Sequence, residues 1–147
     1  MNKIWIVLLF LAAAGCLPKE ELQFKKVRNI NLTASGATPL LKGDLLLYNP
    51  NNKRMKLKKL DLIILLNGKE AGIVDQKLQQ EIPAKDEFTV PMEVKISLKE
   101  IGLLDAISGI LGGKKNTVRI QGKIRGSVNG MTLSVPVDYT EEIRIRR

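Results

Sequence analysis

The sequence predicts a mainly β protein: an antiparallel β-sandwich of about seven strands in an immunoglobulin- or fibronectin-III-like arrangement, with one α-helix. Three observations carry that prediction. Apolar and polar residues alternate with a period of two through most of the chain after residue 24. Turn-forming clusters of Asn, Gly and Pro separate these runs at regular intervals. Only one segment shows sustained helical spacing. With 147 residues, 44% of them hydrophobic, the chain can bury one core and is short for two.

The amino-terminal segment reads as an address. Lys3 supplies a positive start, and Ile4 to Leu11 form an apolar run. The uncharged stretch from Ile4 to Leu17 would span roughly 21 Å as a helix, short of the ~30 Å bilayer core. A cleaved signal peptide over residues 1–15 is therefore expected. Ala13-Ala14-Gly15-Cys16 resembles the lipobox of bacterial lipoproteins, with Ala13 standing where that motif usually has Leu. The resemblance implies acylation of Cys16, as by palmitate, cleavage just before it, and anchoring in a bacterial cell envelope. Cys16 is the single cysteine of the chain, and lipidation accounts for an exported protein having one thiol without a mate. Residues 16–23 would form the lipidated cysteine and its tether. Leu17, where an Asp would mark retention, favours the outer membrane over the inner by the same resemblance.

The strands follow over residues 24–147. Phe24 to Thr33 alternates only from Ile30 to Leu32 and is expected at a sheet edge, with Lys25, Lys26 and Arg28 exposed. In Leu40 to Tyr48, Leu45 and Leu47 are opposed by Leu46 and Tyr48. In the next run Leu60, Leu62, Ile64 and Leu66 share a face while Ile63 and Leu65 make the other face apolar too. Such a strand is central or covered on its second side. Phe88, Val90, Met92, Val94, Ile96 and Leu98 form one clean face. Val118, Ile120, Ile124 and Val128 form another, with Gly122 and Gly126 on the same side admitting a large neighbour or a bend. Met131, Leu133, Val135, Val137 and Tyr139 make the last, continued by Ile143 and Ile145. Asn129-Gly130 between these two is a hairpin signal. Ser97-Leu98-Lys99-Glu100 reads as a capping box opening a helix to Leu111, stopped by Gly112-Gly113. Without a cysteine pair or a core Trp, the domain is not a true immunoglobulin domain.

Asn49-Pro50-Asn51 is a rigid turn on physical grounds. Asn49 can bond forward to the backbone, Pro50 fixes φ, and Asn51 tolerates left-handed geometry. It closes an apolar strand, and Leu60 to Leu66, Asn67-Gly68 and Ile82-Pro83-Ala84-Lys85-Asp86 follow in order. In this order the chain resembles the WHy domain of the late-embryogenesis-abundant group 2 (LEA14-like) family, over about residues 24–137. The resemblance implies a small β-sandwich with one helix and no catalytic site. It also implies links to desiccation, cold and other stress, through protection of proteins or surfaces, and a lipid-binding groove suggested for relatives.

Composition argues against catalysis independently. There is no histidine, hence no commonest general base or metal ligand, and one cysteine cannot build a zinc or iron–sulfur site. Glu141 and Glu142 are adjacent on a strand and point to opposite faces. Residues 109–115 lack the glycine spacing and hydroxyl of a phosphate loop. No enzyme activity, cofactor or metal is expected. The 24 basic residues against 15 acidic ones leave a formal charge of +9. Lys53, Arg54, Lys56, Lys58 and Lys59 form its densest cluster. These are either a solvated strand face or contacts to anionic lipid or envelope polymer. Nucleic acid is disfavoured by export and by only four aromatic residues after Cys16. The resulting expectation is a monomeric, membrane-anchored, non-enzymatic envelope lipoprotein with a stress-protective or interaction role and unidentified protein clients. The alternatives are a lipid-binding module walled by Leu60–Leu66 and Ser97–Leu111, and a scaffold binding partners along an edge strand.

Overall fold

The computed structural model describes residues 20–33, 38–102 and 114–144. Seven strands and a helical turn follow in order: β1 (Gln23–Thr33), β2 (Leu40–Tyr48), β3 (Met55–Leu66), β4 (Lys69–Ile82), β5 (Glu87–Lys95), α1 (Leu98–Ile101), β6 (Lys115–Val128) and β7 (Met131–Arg144). They make a three-stranded sheet ordered β1-β2-β5 and a four-stranded sheet ordered β4-β3-β6-β7. Every described pairing is antiparallel. The expected mainly β sandwich is the fold.

Alternation in the sequence translates directly into burial. β5 is exposed and buried residue by residue, with Phe88, Val90, Met92 and Val94 inward. Val118, Ile120 and Ile124 of β6 stand opposite Leu66, Ile64 and Leu60 of β3 within one core. Burying such Leu, Ile and Val side chains stabilises a fold by about 1.5–3 kcal/mol each. The core runs the length of the space between the sheets. Along the sides, the sheets meet through β1 with β7 and β4 with β5. Phe24 of β1 stands edge-on to Tyr139 of β7, ring centres 6.1 Å apart.

Three details refine the expectations. β1 is an edge strand as expected, but its irregular pattern has a cause: register shifts after Phe24 and after Arg28. They reset which residues point inward, so Val27 and Leu32 are buried three and two residues after Phe24 and Ile30. β3 is central, between β4 and β6, but its second apolar face is not covered: Ile63 is 41% exposed. The Asn129-Gly130 hairpin has the positive φ values of a type I′ turn, 48° and 78°.

The helix departs from its expected form. Ser97 sits at the N-cap position, yet its side chain makes no capping bond, so the capping box is not formed. Its N–H instead donates to the Ala71 carbonyl of β4 at 2.7 Å. After one turn Gly102 adopts φ 90°, ψ 135°, which no right-handed helix can continue through. The remainder of the expected helix, and the signal segment with Cys16, lie outside the described residues.

Candidate functional site

The Asn-Pro-Asn turn is where the structure concentrates buried polar groups. It carries the chain from β2 in one sheet to β3 in the other. The β4–β5 loop makes the reverse crossing at the same end of the sandwich. Asn49 is fully buried. Its Nδ2 donates to the carbonyls of Lys53 at 3.0 Å and Pro83 at 2.9 Å. Its Oδ1 accepts from the Asn51 N–H at 3.0 Å, the forward bond expected of an Asx turn. The Asn49 N–H donates to the Asp86 carbonyl, and the Lys85 N–H to the Asn51 carbonyl, both at 3.0 Å. The two motifs are thus one polar staple across two inter-sheet crossings.

Pro50 is buried beside Asn49. Asn51, expected to accept left-handed geometry, does not use it: within the two crossings the positive φ belongs to Lys85, at 54°. The Asn51 side chain works outward instead. Its Nδ2 donates to the carbonyl of Glu20 at 2.7 Å, and Leu22 is buried just beyond. The incoming chain is therefore fastened to the staple. Nothing in local sequence announces these long-range partners, which lie 31 and 34 residues from the asparagines that hold them.

The basic cluster divides when its side chains are followed. Lys59 is neutralised, with Nζ 2.6 Å from Asp61 and 3.0 Å from Asp75. Those hydrogen bonds hold its pKa above the ordinary 10.5, while Lys59 holds the Asp61 carboxyl below the usual carboxylate range. Arg125 Nη2 lies 3.2 Å from Asp61 Oδ2 and is that atom's counter-charge, without an aligned hydrogen bond. Arg54 only approaches Glu81, at 3.9 Å. Lys53, Lys56 and Lys58 are exposed and have no acidic partner among the described residues.

Lys58 is the extra residue of a bulge against β6, where Leu57 pairs with Gly126 and Lys59 with Arg125, while β4 sets two residues opposite it. Leu57 pairs with Gln80 and Lys59 with Lys77, so Lys58 faces Leu78 and Gln79 where the ladder opens. A groove of about 1140 Å³ lies there, lined by Arg54, Lys56, Lys58 and Lys77 with Glu81 and the Asn129-Gly130 turn. Lys77 was not among the sequence candidates. Its place opposite Lys59 is a product of register. Among the described residues, no three metal-ligating side chains come together, and no helix is long and apolar enough to cross a membrane.

A family model described as late embryogenesis abundant protein matches residues 44–141, two-thirds of the chain, including both halves of the staple. The chain belongs to the late-embryogenesis-abundant family. Solved structures agree on the LEA fold. A protein from Arabidopsis thaliana solved in solution is 15% identical, with a TM-score of 0.69 over 88% of this chain and 84% of its own. Another solution structure, described as a late embryogenesis abundant protein, is 13% identical with a TM-score of 0.58, covering 93% of this chain and 77% of its own. A crystal structure of an Archaeoglobus fulgidus protein is 10% identical with a TM-score of 0.61, covering 85% and 99%. No curated protein sequence matches the chain.

Proposed function

We propose that the protein is a non-enzymatic envelope lipoprotein: a LEA-type β-sandwich held on a bacterial membrane by acyl chains on Cys16, protecting envelope components under stress by interaction rather than chemistry. Family membership supports a stress-related role. The observation that carries the tethering is where the folded body begins. Glu20 is already fastened by Asn51 and Leu22 is buried, a few residues after the apolar run of the sequence. Three residues lie between Cys16 and Glu20, so the four steps reach at most about 14 Å. Two or three acyl chains at about 0.8 kcal/mol per buried methylene would hold the body at that distance durably.

Mass spectrometry of protein extracted from membranes tests this. The amino-terminal peptide should begin at Cys16 and carry acyl mass, and Cys16→Ser should abolish both processing and modification. An unmodified Cys16 in the membrane fraction would sink the proposal. Of the walls expected for the lipid-carrier alternative, Leu60, Leu62, Ile64 and Leu66 are taken up by the core, Ile63 stays exposed on the other face, and residues 103–111 lie outside the described residues. The groove beside the staple joins Arg54, Lys56, Lys58 and Lys77 to the apolar Met55, Leu57 and Leu78.

A further inference from the structure

We infer that the tether-proximal corner of the four-stranded sheet, presenting Arg54, Lys56, Lys58 and Lys77 around the β3–β4 groove, is the surface that rests on the phosphate headgroups of an anionic bilayer. The inference deepens the tethering proposal and rests on it for its source of proximity.

Chain length outside the fold selects the end. The Glu20 carbonyl is held by Asn51, and Lys53 begins two residues further on. A membrane anchor at Cys16 is at most about 14 Å from that point. The far end of the sandwich, with the Asn67-Gly68 turn and α1, is separated from it by the 12 residues of β3. At about 3.3 Å per strand residue that is roughly 40 Å. The near end is thus held at the bilayer, and the far end meets it only if the body lies flat.

Charge then selects the side. At this end the other side carries Lys25, Lys26 and Lys85 against four acids, Glu20 and Glu21 on the incoming chain and Asp86 and Glu87 at the entry to β5. The groove itself holds four cations against Glu81 alone. Lys77 is directly opposite Lys59 in the ladder, an unfavourable pairing of like charges. Asp61 and Asp75 satisfy Lys59, and no described acid satisfies Lys77. An anion placed over the groove would answer Lys56, Lys58 and Lys77 together. At the tip of the adjoining hairpin Met131 is 49% exposed, an apolar contact of the kind that settles at an interface.

Lysine footprinting on the mature, membrane-extracted protein reads this orientation within one molecule. The protein is reconstituted into vesicles of phosphatidylglycerol and phosphatidylcholine, or of phosphatidylcholine alone, and acetylated. In the anionic vesicles Lys56, Lys58 and Lys77 should react about fivefold more slowly, the factor matching about 1 kcal/mol per membrane-facing cation. Lys95, Lys99 and Lys114, exposed at the far end, should react alike in both. Molar salt should erase the difference by screening. Equal rates at both ends, or protection of the far set, overturns the inference. K56E/K58E/K77E, with its fold checked by circular dichroism, should lose the anionic preference, whereas K95E/K99E/K114E should keep it; the reverse pattern also overturns it. The same digest reports the Cys16 peptide. An unacylated peptide defeats the tethering proposal, while vesicles added from outside still test the surface.

Discussion

Two glycines that read alike in the sequence are required for different reasons. Gly130 takes φ 78° in the hairpin, with open space around the place a Cβ would occupy. Gly122 takes φ 146°, and a Cβ there would run into the Asp61 carbonyl of the neighbouring strand. Of the two roles expected for Gly122, a large neighbour or a bend, the structure shows a close neighbour, and that neighbour is backbone. Gly130→Ala should cost about 1 kcal/mol, the ordinary penalty of left-handed backbone. Gly122→Ala should cost at least about 3 kcal/mol, because backbone in a central strand pair cannot step aside. Urea unfolding of both variants measures this, and equal losses would refute the distinction.

At the scale of elements, bulges decide what alternation cannot. One extra residue in β3 sends Leu57 and Leu60 both inward and turns Lys58 out into the groove. Beyond the bulge, Lys59, Asp61, Asp75 and Arg125 cross-link β4, β3 and β6 on the outer face. The Asp61 carboxyl is held below its ordinary 3.8, chiefly by the Lys59 hydrogen bond. A carboxylate with a depressed folded-state pKa contributes stability that is complete above its unfolded value. That contribution is lost as pH falls from about 3.8 through the lower folded value. The Lys59 contribution has the opposite sign: it is complete below 10.5 and lost as pH rises through the higher folded value. Asp61→Asn should therefore flatten the acid limb of the stability–pH curve, read as denaturation midpoints between about pH 5 and pH 2. An unchanged acid limb would show that the network carries no linkage.

For the whole molecule, the decisive feature is that both chain crossings at one end share one buried asparagine. Asn49 ties the β2–β3 turn to the β4–β5 loop, and so one sheet to the other. Asn49→Ala would strand the Lys53 and Pro83 carbonyls without partners, at about 2–3 kcal/mol in total. Because each sheet supplies half of a common core, unfolding should stay a single transition at a lower midpoint. Circular dichroism and tyrosine fluorescence should trace the same curve. Separate transitions for the two probes would mean that the sheets unfold independently.

The strands β5, β6 and β7, the Asn129-Gly130 hairpin and the turn at Asn49 were legible because each depends on a local period or a residue's own dihedral preference. Family membership was legible too, since its motifs keep their order along the chain. At the start of the helix the capping box was overread: Ser97 and Glu100 satisfied a local pattern, but the Ala71 carbonyl claimed the Ser97 N–H and Gly102 left helical geometry. Local periodicity reports which face of a strand is buried. It carries no record of which strand lies alongside. The staple's partners, the neutralisation of Lys59 and the arrival of Lys77 beside Lys56 and Lys58 all depend on register between distant segments. By itself, then, the sequence determined the β class, the basic excess and the place of the single cysteine, four positions before Glu20. Only tertiary structure decided which cations stay free and where they gather, because cross-strand pairing is settled by the packing of the whole core.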